Sequence, residues 1–286
     1  MIYTATNSAD AFLATGSSNN PAGSDLTDLN FGGAGTLVVA PAASPKGEFQ
    51  SIIKFNLADA ITLFNTDYGA DNWTITGISL ELTSNYGAGG GQPNNPIFPA
   101  INGGNFIIEW LSDDDWDEGT GNPNLPTTDG VTYNSLATLL LSAHEILQTN
   151  TYSPPGINVP VTWPLPLNPK LVADVAGGGD VSFLLYAADD QIGYVFNSRS
   201  YGRGNEPLIH VTASPSLKIL SGCFTNANFH LTGLGTANLQ YQIQAATNLS
   251  TTNWQTLGTV TADGAGLIQF DDAVTNQPHR FYRLFR

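Results

Sequence analysis

The sequence has one cysteine, Cys223, so it cannot hold itself together with an internal disulfide. Positive charge is scarce: 9 Lys and Arg stand against 24 Asp and Glu, and the formal net charge is -15. A surplus of that sign repels phosphate backbones and anionic headgroups, so nucleic acid is excluded as an expected partner. No apolar run approaches the roughly 18 residues of a membrane span. Nor does a basic segment followed by an apolar one open the chain. Strand-like Ile2-Tyr3-Thr4 follows Met1 directly, and the expectation is that an export signal has been removed and an initiator Met supplied.

What is present is material for a β-rich core. Of 286 residues, 41% are hydrophobic and 10% aromatic, enough to fold without staples. The 30 Gly and 17 Pro, among abundant Asn, Thr and Ser, favour turns and short strands over long helices. This composition suits an extracellular bacterial protein, secreted or held at the cell surface, and Cys223 beside Phe224 is expected to be core filler.

Charge also marks a boundary. Residues 1–213 hold 21 acidic and 5 basic residues, and residues 214–286 hold 3 and 4. Two domains are expected, 1–213 and 214–286, joined at Ser214-Pro215-Ser216. In the first, strands are read at 50–55, 78–82, 106–110 and 181–186, with turn clusters between them, a pattern that predicts a jelly-roll β-sandwich. Val159–Leu165 carries two prolines and is expected at a sheet edge. Asn168 caps a short helix begun by Pro169 and stopped by Gly177. A longer helix is expected over 134–148, where Leu136, Leu139, Leu140, Ala143, Ile146 and Leu147 recur at helical spacing. The second domain has alternating strands at 229–231, 239–243, 254–257, 267–270 and 280–284, a small sandwich with Tyr241, Ile243, Trp254, Phe270 and Tyr282 in its core.

Most motifs tested for chemistry fail. His144-Glu145 opens like a zinc-protease signature, but Gln148 stands where the second imidazole belongs. The four histidines, 144, 210, 230 and 279, share no short ligand spacing. Gly87-Ala88-Gly89-Gly90-Gly91 lacks the strand-to-helix context of a phosphate cradle and reads as a loop. The sharpest feature is Asp113-Asp114-Asp115-Trp116-Asp117-Glu118, five carboxylates within six positions. Such density asks either for water or for a hard cation, so Asp113, Asp115, Asp117 and Glu118 are candidate ligands of a structural calcium ion, against a plain solvated loop. The helix-loop-helix calcium pattern is not met, because its glycine and closing glutamate positions hold Glu118 and Asn124. For sugar recognition, Trp116, Tyr133 and Tyr201 offer ring faces, and Arg199 and Arg203 flank Tyr201. The two arginines would grip a carboxylated sugar or pair with neighbouring acids.

Several stretches in order resemble the DNRLRE-type domain of secreted bacterial and archaeal proteins: Ala9-Asp10-Ala11-Phe12, Gly35–Val39, Ser51–Leu57, Ile78–Leu82, Trp116–Gly121, Gly130–Asn134, Phe196–Arg199 and Glu206–Val211. The resemblance covers most of residues 1–213. It implies a non-catalytic β jelly roll attached to polysaccharide-acting or surface proteins, some of them carbohydrate-binding modules for acidic glycans. Leu239–Leu249, Trp254, Phe270–Asp272 and Arg280–Arg283 resemble the small fibronectin-like C-terminal domains of secreted proteins of Verrucomicrobia and related bacteria, which implies a spacer or attachment role. The expectation is therefore a secreted, non-catalytic protein that binds an extracellular polysaccharide, with structural calcium as its candidate cofactor. The alternatives are a self-assembling subunit of a filament, adhesin or matrix, and a polysaccharide lyase or hydrolase.

Overall fold

The computed structural model describes residues 1–17, 25–70, 72–85, 104–152, 158–190, 192–226, 228–250, 253–273 and 280–285. The Gly87–Gly91 loop, the Pro93–Pro96 cluster and His279 lie outside these. The chain divides into two compact units: residues 2–62 with 75–212, and residues 213–286 with Met1 and 63–74. The protein is all-β, with three short helices among the described residues.

Up to residue 215 the elements are β1 (Ile2–Thr6), β2 (Ala9–Ala14), β3 (Thr36–Val39), β4 (Phe49–Asn56), α1 (Ala58–Tyr68), β5 (Trp73–Thr83), β6 (Gly104–Leu111), α2 (Tyr133–Leu139), β7 (His144–Tyr152), β8 (Pro160–Leu165), α3 (Pro169–Gly177), β9 (Asp180–Ala187), β10 (Tyr194–Asn197), a 3-10 turn at Arg199–Tyr201, and β11 (Leu208–Pro215); all belong to the larger unit except the part of α1 from residue 63 on, the first two residues of β5 and the last three of β11. One sheet runs β1-β11-β5-β8 and the other β2-β4-β9-β6-β7. With β4 and the separate β10-β3 pair set aside, the remaining strands fall in the order first, last, third, sixth in one sheet and second, seventh, fourth, fifth in the other. That alternation is the strand order of a jelly roll.

The interior is aromatic. Phe106 of β6 packs edge-on against Trp163 of β8 at 5.3 Å, and Tyr152, Tyr194 and Phe196 complete the cluster. Among the described residues β8 pairs with β5 alone and so forms an edge, where Pro160 and Pro164 need not donate to a neighbour. Asn168 caps α3 through the Lys170 amide as expected, but the helix runs through Gly177 and stops at Gly178, which takes the left-handed conformation (φ 72°).

The helix expected over 134–148 is a correction. α2 opens with a Thr132–Ser135 capping box and ends at Leu139. Chain reversal through Ser142 then starts β7, which pairs with β6 over its whole length and places His144 and Glu145 on a strand. The apolar spacing of Leu136 and Leu139 is helical because both face the core; its continuation through Ile146 is chance, since Ile146 is exposed.

The smaller unit contains β12 (Lys218–Thr225), β13 (Asn228–Leu234), β14 (Gln240–Ala246), β15 (Gln255–Thr261), β16 (Leu267–Ala273) and β17 (Phe281–Phe285). They form two three-stranded antiparallel sheets, β12-β13-β16 and β15-β14-β17. Tyr241, Ile243, Ala262 and Ile268 are its buried centre. Trp254, Phe270 and Tyr282 are only half-buried: Trp254 lies under the Arg283 guanidinium at 4.3 Å, and Tyr282 stacks on Phe229. Cys223 is not core filler. It is exposed, because β12 is an edge strand whose side chains are uncovered on both faces.

Candidate functional site

The five-stranded sheet has a second apolar face. Period-two alternation sends Ile53 and Phe55 inward and leaves Ile52, Lys54, Ser182 and Leu184 on the outer side. Water cannot be left against that face, and the acidic loop with α2 covers it. Trp116, Val131, Leu136 and Leu139 pack on Ala11, Leu13, Ile52, Leu111 and Leu184. Trp116 is therefore 7% exposed, a core residue under the loop. Its Nε1 donates to Ser182 Oγ at 2.9 Å, and Lys54 Nζ lies 4.6 Å from its ring centroid. The same ammonium donates to the carbonyls of Asp114 and Trp116, so the one lysine beneath the loop binds its backbone rather than its carboxylates.

Asn30 fixes the rest of the loop. It is fully buried, and its amide is saturated: Nδ2 donates to the Glu118 and Val131 carbonyls, and Oδ1 accepts from the Gly32 and Gly121 amides. The loop closes on it so tightly that a Cβ on Gly119 would sit 2.3 Å from Asn30 Oδ1. Glycine is required there, and Gly119 also takes φ 74°.

The acidic residues do not share a centre. Asp113 accepts from the Asp115 amide and from Ser142 Oγ. Glu118 pairs with Arg199 and accepts from the Asp10 amide. Burial pushes the Asp114 carboxyl up to about 6, partly countered by Ser182. Asp115 and Asp117 are exposed. Among the described residues no group of three His, Cys, Asp or Glu side chains is placed to hold a metal ion. Of the four expected calcium ligands, Asp113 and Glu118 are engaged by protein donors, and Asp115 and Asp117 face solvent.

The candidate sugar-binding residues fall in three places. Trp116 is under the loop. Tyr133 opens α2 and donates to Glu48 at 2.7 Å, and burial with that carboxylate pushes its hydroxyl up to about 12. Arg199 is spent on Glu118, while Tyr201 and Arg203 stay together on the 3-10 turn, with the guanidinium 5.8 Å from the ring.

Between the loop and α2 lies an open cavity of about 420 Å³. Its rim holds Asp115, Asp117 and Asp129 with Thr128 and Thr138; its floor holds Trp116, Val131 and Leu139. Asp129 accepts from the Thr120 amide and from Thr120 and Thr127 hydroxyls, which hold its carboxyl down to about 2. Among the described residues no Lys or Arg lines the cavity. The rim is thus a set of ionised acceptors over an apolar floor, suited to hydroxyl donors and repellent to carboxylates. Reading the sequence missed Asp129, Thr128 and Thr138, whose one local signal was the Asp129-Gly130 turn. No family model matches the chain, and no curated protein is similar enough to count as a match.

Proposed function

We propose that the larger unit binds an uncharged extracellular polysaccharide in the cavity between the acidic loop and α2, without catalysing a reaction, and that the protein works outside the cell or at its surface. In this reading the larger unit is a DNRLRE-type module and the smaller one a fibronectin-like spacer. The observation that supports it is the cavity's composition, three carboxylate acceptors and the hydroxyls of Thr128, Ser135 and Thr138 over Trp116, Val131 and Leu139. The acidic rim shifts the favoured sugar from a uronate to a neutral glycan, because like charges are repelled and no arginine is free there. A non-catalytic role fits the placing of the perturbed acids: Asp10, Asp114 and Asp174 are all raised, and none lines the cavity where a general acid would have to meet a glycosidic oxygen.

Calorimetric titration with a panel of neutral and uronate polysaccharides tests this reading. Binding is expected for neutral chains, weakened about tenfold or more in Asp115→Asn/Asp117→Asn, which removes two charged acceptors. Binding of uronates alone would overturn it, as would release of reducing ends or unsaturated sugars. A calcium ion recruited with the glycan would use Asp115 and Asp117, since Asp113 and Glu118 are engaged. Titrations with calcium and with chelator measure that contribution.

One observation favours a second reading, a self-assembling surface subunit. β12 is an edge strand with Ile219, Leu220 and Phe224 exposed along it and Leu217 just before it, an apolar edge that another copy could pair with. Sedimentation of the protein alone separates the two: ordered polymers without glycan support assembly, and a monomer supports the binding module.

A further inference from the structure

The cysteine lies in a row of three reactive side chains. Cys223 of β12 pairs with His230 of β13, and His230 pairs with Asp271 of β16. Directly paired residues of antiparallel strands project from one face with Cβ atoms about 5 Å apart, so thiol, imidazole and carboxylate stand side by side across the sheet. Leu231 and Ile268, out of step with the row, are buried at 1% and 0%, which puts the row on the outward face. His230 Nδ1 lies 2.5 Å from Asp271 Oδ1. With the carboxylate ionised, Nδ1 carries the proton and donates it, and Nε2 is left as the acceptor. An open cavity of about 300 Å³ is lined by His230, Thr232, Gln269 and Asp271. Of the other ionisable groups of these strands, Asp272 is on the opposite face, where it binds Arg280 and Tyr282, and Lys218, opposite Leu234, shares the outward face two pairs further along from His230.

We propose that Cys223 is a reactive thiol, with His230 as its general base and Asp271 orienting the imidazole, and that it undergoes exchange with low-molecular-weight disulfides to carry a mixed disulfide. The order nucleophile, base, orienting acid is what such activation requires. In the step, His230 Nε2 takes the thiol proton as the sulfur attacks one sulfur of the disulfide. The Cys223 S–S bond forms, the original S–S bond breaks, and the departing thiolate takes the proton back from the imidazolium. Cys223 is oxidised and the departing half is reduced, with no further oxidant needed. The sequence holds no second cysteine to resolve the adduct, so it persists until an external thiol removes it.

Cystine is a suitable probe, because its zero net charge at pH 7 avoids repulsion by a protein of net charge -15. The adduct is counted by intact-protein mass spectrometry, with Cys223→Ser as the blank. The folded thiol is expected to react at pH 7 about tenfold or more faster than the same chain in denaturant, a modest share of what general-base help supplies in enclosed sites. Folded His230→Gln should lose that advantage and Asp271→Asn part of it, and all rates should converge at pH 10, where hydroxide ionises the thiol unaided. A folded thiol no faster than the unfolded one, or a folded His230→Gln that keeps the full rate, overturns the proposal. Should His230→Gln not fold, a folded-to-unfolded rate ratio in the natural chain that does not change with pH overturns it equally.

Discussion

Asn30→Ala is expected to destabilise the larger unit by about 3 to 5 kcal/mol, near the upper end of what one substitution does. Truncation strips partners from the Glu118 and Val131 carbonyls and from the Gly32 and Gly121 amides at once. Each buried backbone group left without a partner costs about 1 kcal/mol or more. Water would recover some of these, but the glycines at 119, 121 and 130 close the space around Asn30. For a unit of this size the loss corresponds to a fall in melting temperature of roughly 10 °C. Because the same loop forms the rim of the cavity, glycan binding should fall with it. Asn134→Ala, which removes exposed bonds to Thr27 and Asp28, serves as the control, expected to cost less than about 1 kcal/mol. A shift no larger for Asn30 than for Asn134 would show that the loop does not depend on its buried amide.

The second large effect is on pH. Asp10 is fully buried. Desolvation raises its carboxyl to about 7, against the lowering effect of the Arg199 amide, the Asn7 side chain and the Arg199 charge, with Glu118 raising it further. Oδ2 accepts from both hydrogen-bond donors, and Oδ1 has no partner among the described residues. An unfolded aspartate titrates near 4. Between about pH 4 and pH 7 the folded chain therefore holds a proton that the unfolded chain releases, and stability from this group rises as pH falls through that window. Above pH 7 the ionised carboxylate is a net cost, on the order of 2 to 4 kcal/mol. Asp10→Asn removes the titration. The stability of the natural chain relative to Asp10→Asn, followed by urea unfolding from pH 8 to pH 5, should grow by about that amount. Parallel profiles for the two chains would mean that the Arg199 charge and the Arg199 and Asn7 hydrogen bonds offset the burial of Asp10.

The sequence read well where its pattern and its burial coincide. Residues 50–55, 106–110 and 181–186 alternate or run apolar because both faces of their sheet are covered, and the cap residues Asn168 and Pro169 act locally. It read badly where partners are distant. In β7 only Asn150 and Tyr152 are buried, so nothing in its composition opposed the helical spacing running on from α2. α1 went unseen although Asn56 accepts from the Ala58 amide and Gly69 follows its end with φ 83°, both local stop and start signals. Trp116 looks like a sugar platform in a polar loop, and only the outer face of the distant sheet makes it core. Arg199 likewise looks free until Glu118, 81 residues away in sequence, is folded against it.

The pairing of β1 with β11 sets Ile2 opposite Thr212. Neighbouring strands lie about 4.8 Å apart, so the two ends of the jelly roll emerge side by side. A chain with that geometry can be spliced into a host loop as a cassette with little distortion of the host. It should also tolerate circular permutation, its old ends joined by a short peptide and new ones opened at an exposed turn such as Asn122–Leu125.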